Sequence, residues 1–490
     1  MQKRTREWDC RLFASKLNSP KNKKTGGGAF GKGLWQDGWS NYSIRQTAGK
    51  SLEVTKKVYG EEVDSVANND SVKYPSVRWF VLVAGVLSAF FAMMAGLACA
   101  PLMPVIAKDL GVDMGVASFG IMGIMMVGMA ISVLIWGFLV DKIGIFKVMI
   151  SGLVILLIVH LLYPILGHDY NTVVVMRVLT AFGAAPGLIV IEPIVSRWFP
   201  VKERGLALGI NCLNMIGAIA GLTFGPMFAA MSGSWQSGLS WLSGIIVIGI
   251  LYMLFTWNLA KNEVPPATAA MEADKASDGN FFKIIVRNPA FWLGLAVMAF
   301  SNWANNAFND LAPGFFAAAP PLGAGYGPET AGQLASGNMF GIMLGIFCGG
   351  VIIDKVFKGR SGILVMIGFA ANLILYNGVL FDSIHGNLGI LVPWLLFAGF
   401  VNPFTAVGNQ YFAVRSFSPK IIGKVAASWT CISNFVGSFG VMAGSYALHS
   451  TGNYNASFAL VAIICVFGFV AALVSRERRT EIELANSQKA

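Results

Sequence analysis

The stretch Gly137-Phe138-Leu139-Val140-Asp141-Lys142-Ile143-Gly144-Ile145-Phe146-Lys147 returns in outline as Gly350-Val351-Ile352-Ile353-Asp354-Lys355-Val356-Phe357-Lys358-Gly359-Arg360. Each copy reads glycine, three apolar residues, Asp-Lys, then a glycine among basic residues, and each joins two long apolar runs. Arg197-Trp198-Phe199 with Gly205 is matched, at the same spacing, by Arg415-Ser416-Phe417 with Gly423. Asn214 to Gly217 is then matched by Asn434 to Gly437. Three separate signals in the same order mark an internal duplication.

The rest of the chain agrees. Of 490 residues, 55% are hydrophobic and only 12% charged, about half the charge of a water-soluble domain. A soluble enzyme, a disordered chain and a nucleic-acid-binding domain all fit poorly. Twelve runs are near the roughly 20 apolar residues that cross a bilayer: about 79–106, 115–140, 144–166, 171–195, 204–231, 237–260, 289–312, 328–353, 361–381, 388–412, 422–447 and 454–475. The longest polar link, 261–288, separates six from six and reads as a central linker. The predicted fold is all-α, twelve transmembrane helices in two pseudo-symmetric six-helix bundles, 78–260 and 289–476, with a short tail at 477–490.

Residues 1–77 are polar and hold Gly26-Gly27-Gly28 and Lys21-Asn22-Lys23-Lys24. They offer no core to offset ordering entropy and read as a disordered tail, either a real extension or a mis-assigned translation start. No long apolar run precedes Trp79, so they are not a secretory signal. Six cysteines without a CxxC spacing read as small buried hydrophobes.

The net charge of +11 follows topology. Apart from Lys108 and Arg177, every Lys and Arg falls in the N-terminal tail, the even-numbered loops or the C-terminal end. The positive-inside rule then puts both termini in the cytoplasm, for a protein of the plasma or inner membrane.

These residues resemble the major facilitator superfamily of secondary transporters over about residues 77–478. Gly137 to Lys147 resembles that family's loop between helices 2 and 3, with Asp141, Lys142, Gly144 and Lys147 on pattern and Ile145 replacing a basic residue. Arg177 with Gly183-Ala184-Ala185 resembles its helix 4 motif, with Ala181 in place of the first glycine. Gly221 to Pro226 resembles the start of the helix 5 motif of many antiporters, but Ala229 and Ala230 replace the closing glycines. The resemblance implies alternating access, with helices 1, 4, 7 and 10 lining the cavity. It also implies a gating role for Gly137, Asp141, Lys142, Gly144 and Lys147, and a weaker one for Gly350, Asp354 and Lys355.

Charge inside a membrane is costly and seldom idle. Arg177 is the sole cation of the predicted core. Two roles are open for it: a counter-ion for an anionic substrate, or a structural arginine on the backbone carbonyls of helix 1. Glu192 and Asp310 are the candidates for proton coupling, and His160 reads as a packed, hydrogen-bonded residue. Helix 7 carries Asn302, Trp303, Asn305, Asn306 and Asn309, with Asn302, Asn305 or Asn306, and Asn309 on one face. Helix 10 carries Asn402, Thr405 and Asn409 on one face. Amides cannot face lipid unpaired, so both stripes face a partner helix or a wet cavity and are candidate substrate ligands. Methionines of helices 1 and 2 read as packing, or as a soft apolar wall.

The function expected is secondary active transport of a small polar metabolite, an organic anion, driven by an ion gradient (a proton) or by exchange. An efflux antiporter for drugs or metabolites is the alternative. The partners expected are the small-molecule substrate, the bilayer and a coupling proton, with no nucleic acid and a monomeric protein. No nucleophile–base constellation, ATP-binding loop or metal-ligand cluster is present in the sequence, so neither an enzymatic activity nor a cofactor is expected.

Overall fold

Helices account for the architecture. A computed structural model of the chain describes residues 74–263, 288–417 and 422–487. The tail and the central linker read from the sequence lie almost wholly outside the described residues.

Among the described residues, twelve long helices form the body: α1 Arg78–Leu97, α2 Met114–Ile143, α3 Ile145–Leu166, α4 Tyr170–Trp198, α5 Leu206–Ser232, α6 Trp235–Ala260, α7 Pro289–Ala317, α8 Gly327–Lys355, α9 Ser361–Gly378, α10 Leu388–Ser416, α11 Lys424–Thr451 and α12 Tyr454–Ser487. Eleven contain a stretch long and apolar enough to cross a membrane. The other, α7, has 29 residues, and its middle turns hold four asparagines and Asp310. The length spans; the side chains face inward. At the far end, α12 continues as helix through the segment expected to be a tail.

Packing repeats the sequence duplication. In the first bundle α1 lies on α4 and α5, α2 on α4, and α3 on α6. In the second, α7 lies on α11, α8 on α10, and α9 on α12. The bundles meet where α5 packs on α8 and α2 on α11, an exchange of equivalent elements.

Interruptions in the helices have identifiable causes. The first apolar run was expected to continue to 106, but α1 stops at Leu97 and a separate short helix covers Met103–Asp109. Pro101 and Pro104 have no N–H to donate, so the α-helical ladder cannot run through them. In α4 the helix breaks between Ile189 and Ile191, where Pro193 cannot donate to the Ile189 carbonyl. In α10 it breaks at Asn402-Pro403. The equivalent helices of the two repeats are thus both discontinuous, a common feature of transporter binding sites. Within α2, residues Phe119–Ile124 widen into a π-helical turn.

One turn shows why the loop motif needs its second glycine. α2 and α3 are separated by Gly144 alone, whose φ of +88° lies in the left-handed region that side-chain-bearing residues avoid. We call the end of the molecule that carries this turn and its repeat the basic face, and the other end the opposite face.

Candidate functional site

A cavity of about 310 Å³ lies between the bundles at mid-height, at the small end of the range of small-molecule sites. Its two sides differ in chemistry. The first bundle contributes Met93, Met122, Met125, Met126, Met129 and Met215, with alanine, leucine and valine between them. The second contributes Asn302, Asn305, Asn306, Asn309 and Asp310 of α7, Met339 and Ile342 of α8, and Cys431, Asn434 and Val441 of α11.

The asparagine face is wired together. Asn302 Nδ2 donates to Ser433 Oγ at 2.8 Å and to Asn434 Oδ1 at 3.0 Å, tying α7 to α11. Asn305 Oδ1 accepts from Asn309 Nδ2 and from Asn402 Nδ2, each at 2.9 Å. Asn309 Oδ1 accepts from Asn338 Nδ2 of α8 at 3.2 Å. Asn305 is therefore the acceptor hub of a ladder linking three helices. Asn306 lines the cavity beside Gly437 of α11, where a side chain would collide with its amide.

The other helix 10 candidates sit behind this wall. Asn402 is buried and also bonds Tyr376 Oη of α9. Thr405 Oγ1 lies 2.5 Å from Ser301 Oγ, and Asn409 Nδ2 donates to the Gly294 carbonyl at 2.9 Å, both onto α7. Trp303 is buried, its carbonyl against Gly440 of α11. These four fix the position of α7 and are not lining residues.

Arg177 is 1% exposed and its donors are spent on the backbone. Nε donates to Ile121 O at 3.0 Å, Nη1 to Ala95 O at 3.0 Å, and Nη2 to Gly96 O at 2.7 Å. Ala95 and Gly96 are in the last turn of α1, whose carbonyls have no helical partner beyond the stop at Leu97. Ile121 is in the π turn of α2. Of the two roles open from the sequence, the carbonyl-bonding one describes this geometry. Met122 and Met125 stand between the guanidinium and the cavity, both sulfurs touching Nη2 at 3.5 and 2.6 Å. The charge lies one thioether layer behind the apolar wall.

Asp310 is 6% exposed and lines the cavity at the end nearer the opposite face. Its Oδ2 is 2.6 Å from Ser118 Oγ of α2, and its Oδ1 has no partner among the described residues. Ser118 is in turn 2.9 Å from Ser445 Oγ of α11. Further out, His449 Nδ1 of α11 is 3.1 Å from Asp113 Oδ1. On α5 and α8, Thr223 Oγ1 and Ser336 Oγ are 2.9 Å apart. Each of these contacts joins one bundle to the other. They form a seal between the cavity and the opposite face.

On the basic face, Asp354 Oδ1 accepts from Tyr411 Oη of α10 at 3.0 Å, and the Arg415 guanidinium lies over the Tyr411 ring at 5.0 Å. Gly350 and Lys355 are on the last turns of α8, and Gly137, Asp141 and Lys142 on those of α2. Lys147 is exposed on the first turn of α3. The Asp141 side chain lies outside the described residues. Glu192 is exposed and is not a lining residue. His160 is buried on the Leu156 carbonyl at 2.8 Å.

Sequence reasoning missed Ser118, Ser445 and the Asp113–His449 pair. Lone serines at small-residue helix contacts look like packing, and only the assembled bundles set them beside Asp310. Met215, Met339 and Cys431 carry no sequence signal that separates them from core residues.

The fold and the cavity between its repeats define a transporter class. The sequence matches the Major Facilitator Superfamily over residues 85–317 and again over 314–490, so the chain belongs to that family. It is similar to the hexuronate transporter of Bacillus subtilis (strain 168), 22% identical over 337 residues that cover 65% of this chain and 77% of that one. The fatty acid resistance protein FarB of Neisseria gonorrhoeae is 28% identical over 193 residues, 39% of this chain and 36% of that one. Among solved structures, the inward-facing, unoccupied form of a bacterial homologue of the human lysosomal transporter Spinster superposes with a TM-score of 0.60. That match has 15% identity and covers 84% of this chain and 96% of that one. The protein is a membrane transporter, not an enzyme.

Proposed function

We propose that the protein carries a small organic anion with an apolar portion across the membrane by alternating access. One observation carries this reading: the central cavity pairs a hydrogen-bonding wall, Asn302, Asn305, Asn306 and Asn309, with a methionine wall that has Arg177 behind it. Amides orient the polar groups of the substrate. Thioethers adapt to its apolar part. Arg177 acts as fixed positive charge at one remove, felt through a low-dielectric layer, and Trp303, Asn402, Thr405 and Asn409 hold α7 in place as positioning residues.

The hexuronate relative supports the anionic class. The Gly221 and Gly225 match to the antiporter motif lends efflux little support, because both glycines pack on α1 carbonyls.

The remaining parts follow the same reading. The positive-inside rule makes the basic face cytoplasmic and the opposite face extracellular in a plasma or inner membrane. Gly137, Asp141, Lys142, Gly144 and Lys147, with Gly350, Asp354 and Lys355, gate the cytoplasmic side. Asp310 is the carboxyl best placed to take up a driving proton, since it borders both cavity and seal; Glu192 is the second candidate. The transporter works as a monomer.

The test is a thermal-shift screen of purified protein against small carboxylates, hexuronates, medium-chain fatty acids, amino acids, neutral sugars and cationic amphiphiles. Carboxylates stabilise the wild type, and Asn306→Ala weakens that stabilisation without lowering the unliganded melting temperature. Stabilisation by cationic amphiphiles alone removes the anion reading and puts the efflux antiporter in its place.

A further inference from the structure

We propose that the head of the substrate is a carboxylate held by the amide N–H groups of Asn305 and Asn434, which the asparagine ladder leaves unpaired toward the cavity. The inference deepens the anion reading and rests on it. Neutral donors of the second bundle meet the charge directly, and Arg177 acts on it only from a distance.

An asparagine amide has two N–H donors and one carbonyl acceptor, and the ladder uses the two ends unequally. Asn305 Oδ1 accepts from Asn309 Nδ2 and Asn402 Nδ2, which fills both lone pairs. Its own Nδ2 has no partner among the described residues. On α11 a hydroxyl sets the direction. Ser433 Oγ donates its one hydrogen to the Thr430 carbonyl at 3.2 Å, so toward Asn302 Nδ2 it only accepts. Asn302 therefore turns its nitrogen to this corner, and Asn434 meets that nitrogen with Oδ1. The Nδ2 of Asn434 is left over. Neither leftover nitrogen is buried without a partner, and both residues line the cavity, so both NH2 groups open on the same space. Asn302, which bonds Asn434, stands one turn from Asn305, with Cβ atoms about 5–6 Å apart. That spacing lets one two-oxygen group take a hydrogen bond from each side.

The internal repeat separates this role from packing. Asn434 to Gly437 corresponds to Asn214 to Gly217. Asn214 is buried, and Gly217 packs on the Phe90 carbonyl. Asn434 is exposed to the cavity instead, and Gly437 leaves room for the Asn306 amide. The same motif closes a helix contact in one bundle and lines the cavity in the other.

A hydrogen bond to an ionised acceptor is about twice as strong as one between neutral groups, so a carboxylate gains more from these donors than an amide does. An ammonium, which only donates, gains nothing from them. Asp310 would repel an anion beside it, but it lies eight residues beyond Asn302 on α7, about 12 Å along the axis. The apolar part of the substrate then rests on the methionines of the first bundle, so head and tail are held by different bundles.

The test titrates purified full-length protein with hexanoate, hexanamide and hexylamine, which share one chain and differ in the head, by isothermal titration calorimetry. Wild type binds hexanoate about tenfold more tightly than hexanamide, and hexylamine more weakly still. Asn305→Asp and Asn434→Asp each keep the Oδ1 that the ladder uses and replace only the free nitrogen by an acceptor. Each loses hexanoate affinity by about tenfold or more and reverses the preference over hexylamine. Asn434→Ala, which adds no charge, loses hexanoate without gaining hexylamine. It separates the missing donor from added repulsion, and it keeps the proposal testable if the Asp variants do not fold. Hexanoate binding that is unchanged in Asn434→Ala or in Asn305→Asp overturns this assignment alone, since the anion is still bound. Wild-type protein that binds no hexanoate, or prefers hexylamine, overturns the anion reading with it.

Discussion

Arg177 shows how a residue's neighbours decide between two chemically sound roles. A guanidinium has five N–H donors in a rigid fork, and three of them go to backbone carbonyls from two helices. Removing the fork leaves buried acceptors unpaired, each at a cost of about 1–3 kcal/mol. Arg177→Leu therefore lowers the melting temperature sharply or prevents folding, and Arg177→Lys recovers only part, because one ammonium cannot match the fork. The check is the melting temperature without ligand. A substrate ligand alone would leave it unchanged. That Arg177 faces carbonyls could be posed from the sequence but not decided there, since it depends on where α1 ends and where α2 widens.

Small residues set the distances between elements. In α5, Gly217, Gly221 and Gly225 recur every four residues, and their Cα atoms lie against the carbonyls of Phe90, Met94 and Ala98. A Cβ at Gly221 would come 2.3 Å from Met94 O, backbone that cannot move aside. Such small-xxx-small stripes let membrane helices approach closely. Gly221→Val is expected to abolish monodisperse protein on size-exclusion chromatography. Gly209→Ala, where an added Cβ meets nothing, is expected to behave as wild type. The repeat pairs Asn214–Gly217 and Asn434–Gly437 follow the same logic, since α7 meets α11 as α1 meets α5. The four-residue spacing of these glycines is visible in the sequence, but their partner helix is not, because a glycine row is the same whatever packs on it.

At the scale of the molecule, the described state is sealed toward the opposite face. Gly332 of α8 packs so closely on Leu222 of α5 that a Cβ would lie 2.0 Å from the Leu222 carbonyl, and Thr223 meets Ser336 one turn on. If transport needs this junction to part, a covalent link across it must stop the cycle. In a background lacking other cysteines, Thr223→Cys with Ser336→Cys should lose nearly all uptake when oxidised and regain it with a reductant. Uptake that continues through a verified cross-link would show that α5 and α8 need not separate.

The sequence by itself determined the membrane class, the twelve spans, the duplication and the family resemblance. Those depend on composition, on a period of about twenty apolar residues, and on short motifs, all of which are local along the chain. It also marked the asparagines of α7, because four amides within eight residues cannot face lipid. Tertiary structure decided which of the marked residues border the cavity, that Arg177 stands behind a methionine layer, and that Asp310 meets Ser118 of α2 across the bundle junction. These depend on the rotation of each helix about its axis, which contacts between residues far apart along the chain decide, whereas the breaks in α1, α4 and α10 follow local prolines.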